Sequence, residues 1–396
     1  MKSVESVRNC YGCGVCATVC AKSAIKVELD GEGFYAPVLD ADKCNNCGLC
    51  SEVCAFLYND LAVHNEPKAS YGAWSNNPMV RNRCSSGGVG YELGKHMLSE
   101  GYKVCAVRYD ASKQRAEHYI ATTESELMPS VGSKYIQSYT VDGFKAIARK
   151  ERYLVTGTPC QIDSFRRYIR RFRVEDNFVL MDFFCHSVPS MLAWKKYLQI
   201  VEPQTGTVVY ASWRNKLFGW HDSWAIAIDG NVAGGKKSSL TDNIYTPEAT
   251  HVYNSRWSEG DLFYKLFLGD YCCNPACQKS CKYKYDKSSA DIRIGDFWGT
   301  TYAQNEAGVS SVVAFTEKGN EILKQLDCTF EEHPFVVVAE GQMTRNVGRA
   351  RVAGLMMRTL KNTTATLQSI NNLLVVDQML CLPSRIVKKI ARWVKK

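Results

Sequence analysis

The sequence predicts a small α+β domain at the N-terminus and a larger α/β domain after it. Three observations carry this. Two cysteine runs of identical spacing, Cys10-Cys13-Cys16-Cys20 and Cys44-Cys47-Cys50-Cys54, flank one short hairpin pattern. Beyond residue 103, apolar strand patterns alternate with helical ones, the rhythm of an α/β sheet. The length, 396 residues, exceeds what one compact core usually holds.

Composition narrows the class. An apolar share of 45% with 22% charged residues is an ordinary globular balance. Eighteen cysteines in a chain this long, gathered in clusters, argue against a secreted disulfide scaffold and for metal or redox chemistry. The start, MKSVESVRNCYG, has no apolar signal core, and the stretch Leu373–Leu382 is interrupted by Asp377 and Gln378, too short to span a bilayer. A reducing cytoplasm is the expected location. Residues 1–62 carry eight acidic and five basic side chains, a net of −3, so the remainder of this +9 chain carries +12. A basic body suits acidic carriers, phosphorylated cofactors or anionic lipid. No nucleic-acid reader motif accompanies it, so nucleic acid is not an expected partner.

The first domain follows from its residues. Ile25, Val27 and Leu29 alternate with polar side chains, Asp30–Gly33 supplies a turn, and Phe34–Leu39 returns as a second strand. Each cysteine run reads C-x₂-C-x₂-C-x₃-C, the spacing of thiolates that hold two cubane clusters. Zinc knuckles built from C-x₂-C pairs are the alternative. The segment resembles a two-cluster ferredoxin. That resemblance implies one 4Fe–4S cluster on Cys10, Cys13, Cys16 and Cys54, and another on Cys44, Cys47, Cys50 and Cys20. Small residues at Gly12, Gly14 and Gly48 allow backbone N–H groups to approach sulfur. Ala21 and Ala55 stand where that family usually places proline.

Residues 55–80 read as a connector, with breaks at Asn65–Lys68 and Ser75–Pro78. Arg83-Cys84-Ser85-Ser86-Gly87-Gly88-Val89-Gly90 then opens a helical run that ends at Gly101. Small residues there suit either a phosphate or a plain helix cap. KVCAVRY reads as a buried strand, and Gly132-Ser133-Lys134-Tyr135 again sets small residues beside a cation. Two strand–loop–helix units follow. Arg152–Val155 leads to Cys160 and the helix IDSFRRYIRRF; Asn177–Phe184 leads to Cys185, His186 and the helix SMLAWKKYLQIV. Pro159 and Pro189 fit first turns. Both cysteines lie past the carboxyl ends of strands, the edge where open sheets bind ligands. Later, Cys272, Cys273, Cys277 and Cys281 crowd into ten residues, and Asp291–Gly299 reads as a strand with a glycine-rich end. Those four cysteines suit a self-contained zinc site, or two of them complete a cluster with Cys160 and Cys185.

Taken in order, Ser85–Gly88, Gly132–Tyr135, Gly157–Gln161, Cys185–Ser190, Arg214–Trp220 and Ala290–Gly299 resemble the coenzyme F420 hydrogenase/dehydrogenase beta-subunit family over residues 70–345. The resemblance implies an α+β two-cluster ferredoxin domain followed by an α/β flavin- and iron–sulfur-binding domain. It implies FAD contacts at Ser85, Ser86, Gly87, Gly88, Gly132, Ser133, Lys134 and Tyr135. It also implies a third 4Fe–4S cluster on Cys160, Cys185, Cys277 and Cys281. The family's usual C-x₂-C pair is C-x₃-C here, which leaves Cys272 and Cys273 as candidates for the last two positions. The implied divisions are 1–62, 63–150, 151–345 and a helical basic tail, 346–396.

The function expected from these parts is an iron–sulfur flavoprotein oxidoreductase. It exchanges electrons between a ferredoxin or similar carrier and a small organic substrate or deazaflavin; the alternative is an electron-transfer subunit with no substrate site of its own. Substrate transfers less well than fold and cofactors. His186 and His221 lie in the matching motifs, but neither is singled out as a proton donor. In the terminal stretch SRIVKKIARWVKK, Ile386, Ile390, Trp393 and Val394 share a helical face beside basic residues. It suits peripheral contact with an anionic membrane or a docked terminal helix. Oligomerisation is compatible with all of this.

Overall fold

The structure is a computed structural model. It describes Val4, Val7, residues 10–231 and residues 253–393, with the side chains of the last helix described through Cys381. The side chains of the expected basic tail, Ile386, Ile390, Trp393 and Val394 included, lie outside the described residues.

The small domain is built on a hairpin, β1 (Ile25–Leu29) with β2 (Tyr35–Leu39), antiparallel with Ile25 opposite Leu39. The Asp30 carboxylate closes its turn by accepting from Glu32 N and Phe34 N at 2.9 and 3.0 Å. Each cysteine run continues into one short helix, Val15–Val19 or Leu49–Glu52, entered through a left-handed glycine, Gly14 (φ 71) or Gly48 (φ 78). Only glycine adopts that conformation without strain.

The large domain contains β3 (Ala69–Ser75), β4 (Lys103–Asp110), β5 (Arg115–Ala121), β6 (Ser138–Tyr139), β7 (Tyr153–Thr156) and β8 (Phe178–Phe183). It continues with β9 (Val208–Ser212), β10 (Ala225–Gly230), β11 (Tyr253–Arg256), β12 (Ile292–Asp296), β13 (Ser310–Ala314) and β14 (Cys328–Glu332). Nine of these form one sheet in the order β14-β3-β13-β12-β8-β7-β4-β5-β6, while β11-β10-β9 form a separate antiparallel sheet. The centre, β12-β8-β7-β4, is parallel, and β13, β3 and β14 extend it antiparallel on one side. The large sheet draws strands from both sides of residue 150. Its parallel centre is apolar on both faces, with Val104, Val155, Val179, Leu180 and Ile292 buried.

The expected connector over 55–80 is corrected in part, because Ala69–Ser75 is an interior strand paired on both edges, with β13 and with β14. Its sequence, ASYGAWS, mixes small and aromatic residues instead of β-branched ones, and its partners lie more than 200 residues away. Gly72 is needed there: a Cβ would sit 2.6 Å from the Tyr302 hydroxyl oxygen.

Both predicted strand–loop–helix units form. The helix Pro159–Arg171 begins with a capping box in which Thr158 and Gln161 satisfy each other's backbone N–H groups. The helix Met191–Thr205 is capped by Ser190, whose hydroxyl accepts from Leu192 N. A buried pair ties β8 to β12: Arg293 Nε and Nη2 reach Asp182 Oδ1 and Oδ2, both at 2.7 Å, with both side chains fully buried. Arg293 also donates to Tyr285 O and Lys287 O, and Ser288 to Asp182. The pair therefore fixes the segment between the third cysteine group and β12.

The small domain is seated on the large one by specific bonds. Tyr35 N donates to Gln137 Oε1 (3.0 Å), Thr140 Oγ1 to Cys13 O (2.9 Å), Asn274 Nδ2 to Cys10 O (3.2 Å) and Tyr11 OH to Ser280 O (2.9 Å). Gly12 has φ 71, and a Cβ there would lie 2.1 Å from Gln137 Nε2, so this contact requires glycine.

Candidate functional site

Three groups of cysteines and one cleft make up the site. The first group lines a cavity in the small domain. Cys10, Cys13, Cys16 and Cys54 face it together with Gly12, Gly14 and Val27. This is the crossed set, three thiols from one run and the last from the other. Burial pushes the Cys10 thiol up to about 12 and the Cys54 thiol up to about 11, with neighbouring thiols adding to the effect. Such thiols stay protonated alone and give up their protons to a bound metal. Gly12 N donates to Cys10 Sγ at 3.1 Å, the kind of backbone contact the small residues allow.

The second group lies nearer to solvent. Cys47 is exposed, and Cys20, Cys44 and Cys50 are half-buried. Ala24 N donates to Cys20 Sγ at 3.3 Å and Asn46 N to Cys44 Sγ at 3.4 Å. Cys50 lies within electrostatic reach of Cys16 and Cys54, so the two groups adjoin.

The third group is in the large domain, and its Cys160 lies within electrostatic reach of Cys13 of the first. The buried Cys160 thiol is raised by desolvation and then by Cys277, Cys185 and Cys13. Cys185 is pushed up to about 12 by burial and feels Cys277 and Cys281. Burial likewise raises Cys277 to about 11. Tyr11, one residue from Cys10, packs among Cys160, Cys185 and Cys281, and its phenol is raised by burial and by Cys160, Cys281 and Cys277. Two cations lower Cys185, those of Lys284 and Arg293. Lys284 Nζ donates to the carbonyls of Cys185 and His186 at 3.1 and 3.0 Å. Cys272 is elsewhere, in an apolar cluster with Ala193, Val352 and Met356. Cys273 accepts from Ser187 Oγ at 3.0 Å and lies beside Asp270 and His186. The convergent donors are thus four thiols in the first group and four in the third, a donor set suited to 4Fe–4S clusters.

The cleft lies between Tyr109 of β4, the loop 128–134 and β9. Arg83, Gly132, Ser133, Lys134 and Arg214 line it, around a cavity of about 50 Å³. The eight residues singled out in the sequence occupy different places around it. Gly132, Ser133 and Lys134 line the cleft itself. Ser85 Oγ accepts from Ser133 N (2.9 Å) and Ser133 Oγ (3.1 Å), so the two predicted motifs meet. Ser86 and Gly87 are bonded to Val309 O and Ser310 Oγ, and Gly88, at φ 91, caps the helix Val89–Ser99. Tyr135 stacks on Trp224, with centroids 5.3 Å apart and planes at 2°.

Lys134 Nζ donates to Pro129 O, Ser130 O and Val131 O at 3.1, 2.8 and 3.0 Å, which holds the glycine loop. Burial lowers this amine to about 7. Lys216 acts in the same way on Arg81 O, Ser86 O and Ala307 O and is also lowered to about 7 by burial.

Sequence reasoning missed Arg214 and Asp296 as individual residues. Arg214 is buried, paired with Asp296 at 2.7 Å, bonded to Tyr135 OH at 3.2 Å, and flanked by Trp224 and Trp298. Both lie in stretches noted only as motifs, and nothing in the sequence pairs them. The two histidines are placed differently. His186 Nε2 lies 3.1 Å from Asp270 Oδ1, and His221 packs against Trp220.

Comparison with known proteins matches three stretches of the chain. A sequence profile described as coenzyme F420 hydrogenase/dehydrogenase, beta subunit N-term, matches residues 70–144, and its companion for the C terminus of the same beta subunit matches residues 150–333. A 4Fe-4S dicluster domain profile matches residues 9–57, which makes iron–sulfur electron transfer the chemistry of the small domain. No curated protein matches the chain. Among solved structures, a xenon-derivatised F420-reducing [NiFe] hydrogenase complex from Methanosarcina barkeri contains a chain 17% identical, with TM-score 0.43, over 82% of this chain and 94% of that one. The chain belongs to the coenzyme F420 hydrogenase/dehydrogenase beta-subunit family and carries a 4Fe-4S dicluster domain ahead of the family's two regions.

Proposed function

We propose that the chain is an iron–sulfur flavoprotein oxidoreductase that exchanges electrons between a ferredoxin-type protein carrier and a small organic substrate or deazaflavin. The observation that carries this reading is the adjacency of the thiol groups. Cys13 bonds to Ser164 at 3.3 Å, and Ser164 stands four residues from Cys160 on one helix. Packed protein thus joins the cysteines of the small domain to Cys160, just past the carboxyl end of β7.

Cys10, Cys13, Cys16 and Cys54 would hold one 4Fe–4S cluster, Cys20, Cys44, Cys47 and Cys50 a second, and Cys160, Cys185, Cys277 and Cys281 a third. FAD would take the cleft lined by Gly132–Lys134, Arg83 and Arg214. The clusters supply one-electron carriers, and FAD interconverts single electrons with a hydride. The protein's share is positioning and electrostatics. Lys134 and Lys216 hold the glycine loops by their carbonyls. Arg214, fixed by Asp296, presents a permanent positive charge at the cleft. Lys284 and Arg293 favour added negative charge around Cys185.

Anaerobic purification tests the reading. The expected result is about twelve irons and one FAD per chain, with bleaching by a reduced ferredoxin and recolouring by oxidised substrate or deazaflavin. A colourless protein containing zinc, with neither iron nor flavin, overturns it.

A further inference from the structure

Cys272 and Cys273 adjoin in sequence and part in the fold. Cys272 packs in an apolar cluster, while Cys273 meets the loop after β8, where its neighbours are polar. One ligand atom each from Cys273, His186 and Asp270 lies within 4.8 Å of the other two. His186 Nε2 is 3.1 Å from Asp270 Oδ1, and Cys273 Sγ is 3.7 Å from the same oxygen. Zinc bonds nitrogen and oxygen at about 2.0–2.2 Å and sulfur at about 2.3 Å, which sets neighbouring ligand atoms of a tetrahedron about 3.3–3.7 Å apart. The three donors thus stand close to the edge lengths of one coordination shell.

Their surroundings hold them in place. Asp270 has φ 61, a left-handed backbone that strains a non-glycine residue and that aspartate tolerates better than most. Its Oδ2 accepts from Gly348 N at 2.8 Å, which leaves Oδ1 for the histidine and the thiol. The His186 ring packs edge-on against Phe267, with centroids 5.1 Å apart. Ser187 Oγ donates to Cys273 Sγ at 3.0 Å, the kind of outer hydrogen bond that orients a metal-bound thiolate. A histidine–aspartate pair on its own gives the cysteine no role. Asp270 also disfavours a thiolate at Cys273, a repulsion that a cation between them reverses. Cys273 is buried and Asp270 half-buried, whereas the His186 side chain is 36% exposed, which gives an ion a way in.

We propose that His186, Asp270 and Cys273 form a mononuclear zinc site whose fourth position, on the solvent side, takes water or an oxygen or nitrogen atom of a small ligand. One nitrogen, one oxygen and one sulfur donor suit this borderline-soft divalent ion, and binding displaces the thiol proton of Cys273. The site shares no residue with the thiols assigned to the third cluster, although Cys273 lies within electrostatic reach of Cys277. It requires none of the cofactors assigned above. Bound zinc would pin the loop that carries Cys185 to the turn after the helix Leu262–Leu268.

The test is equilibrium dialysis of the anaerobic, iron-loaded full-length protein against zinc ion, with both metals counted by mass spectrometry. About one zinc per chain is expected beside an unchanged iron content. Asp270→Asn and Cys273→Ser are each expected to weaken zinc binding by about tenfold or more, with iron retained. Cys272→Ser is expected to bind zinc as the wild type does. Should Cys273→Ser fail to fold, Asp270→Asn decides, because it keeps the size of the side chain and an oxygen for Gly348 N. The iron count reports on the cluster assignment and the Asp270 dependence of zinc on this site, so either can fail alone. No zinc bound by the loaded protein, or zinc held equally by the Asp270 and Cys273 variants, overturns the proposal. So does zinc that enters only as iron is lost and that Cys281→Ser abolishes, which assigns the ion to a cluster position.

Discussion

Cys13 donates a 3.3 Å hydrogen bond to Ser164 Oγ, which joins the inner cysteine group of the small domain to the helix whose first turn carries Cys160. Ser164 is fully buried and also accepts from Ala55 N at 3.0 Å, next to Cys54. One hydroxyl therefore touches both cysteine segments of the first group.

When Cys13 is a metal-bound thiolate, the Ser164 hydroxyl can donate to it while still accepting from Ala55. Donation to sulfur stabilises the more negative, reduced state. Ser164→Ala is expected to lower the midpoint potential of one cluster by about 50 mV, near the one-electron equivalent of a tenfold change. Ser164→Thr should restore most of it. Redox titration followed by electron paramagnetic resonance reads the shift; an unchanged potential in a folded, fully loaded variant removes Ser164 from the tuning role.

Ligand choice in the third group gives a second prediction. Cys277 and Cys281 lie with Cys160 and Cys185, whereas Cys272 packs in an apolar cluster. Cys281→Ser is expected to reduce iron from about twelve to about eight per chain, and Cys272→Ser to leave it near twelve. The reverse pattern would move a ligand position from Cys281 to Cys272.

The cysteine chemistry was legible because ligand spacing is local. A turn and a short helix keep the thiols of one run close together, whereas the place of Cys54 with the first run was implied only by the resemblance to a two-cluster ferredoxin; in the structure Cys54 lines the same cavity as Cys10, Cys13 and Cys16. The two strand–loop–helix units were equally legible, since each is set by nearby apolar period, caps and proline. What stayed hidden was long-range. Ala69–Ser75 has no strong strand propensity of its own and becomes a strand because β13 and β14 supply partners on both edges. Arg214 and Asp296 meet only after the sheet forms, 82 residues apart.

The Asp182–Arg293 pair carries a third prediction. Both side chains are fully buried and joined by two bonds of 2.7 Å between neighbouring parallel strands. Removing one partner leaves the other charge buried and unpaired, a cost of about 3–5 kcal/mol. Asp182→Ala should show this loss in anaerobic urea unfolding. Asp182→Leu with Arg293→Met, which leaves no orphaned charge, should recover much of it. A loss under about 1 kcal/mol for Asp182→Ala would mean that the charge is compensated elsewhere.

His118 sets an expected pH dependence. The ring is buried on β5, with Nε2 3.0 Å from Thr156 O, and burial lowers its pKa from 6.5 to about 4. The unfolded chain therefore binds a proton at a higher pH than the folded one. Stability from this residue is fully present above pH 6.5 and falls as pH drops toward 4, at up to about 1.4 kcal/mol per pH unit. Between pH 7.5 and 5 the expected loss is about 2 kcal/mol. His118→Gln keeps a side-chain N–H donor and removes the titration, so its unfolding free energy should decline less than that of the wild type over this range. Parallel declines of the two proteins would show that His118 does not titrate on unfolding and that other groups set the acid limit of the fold.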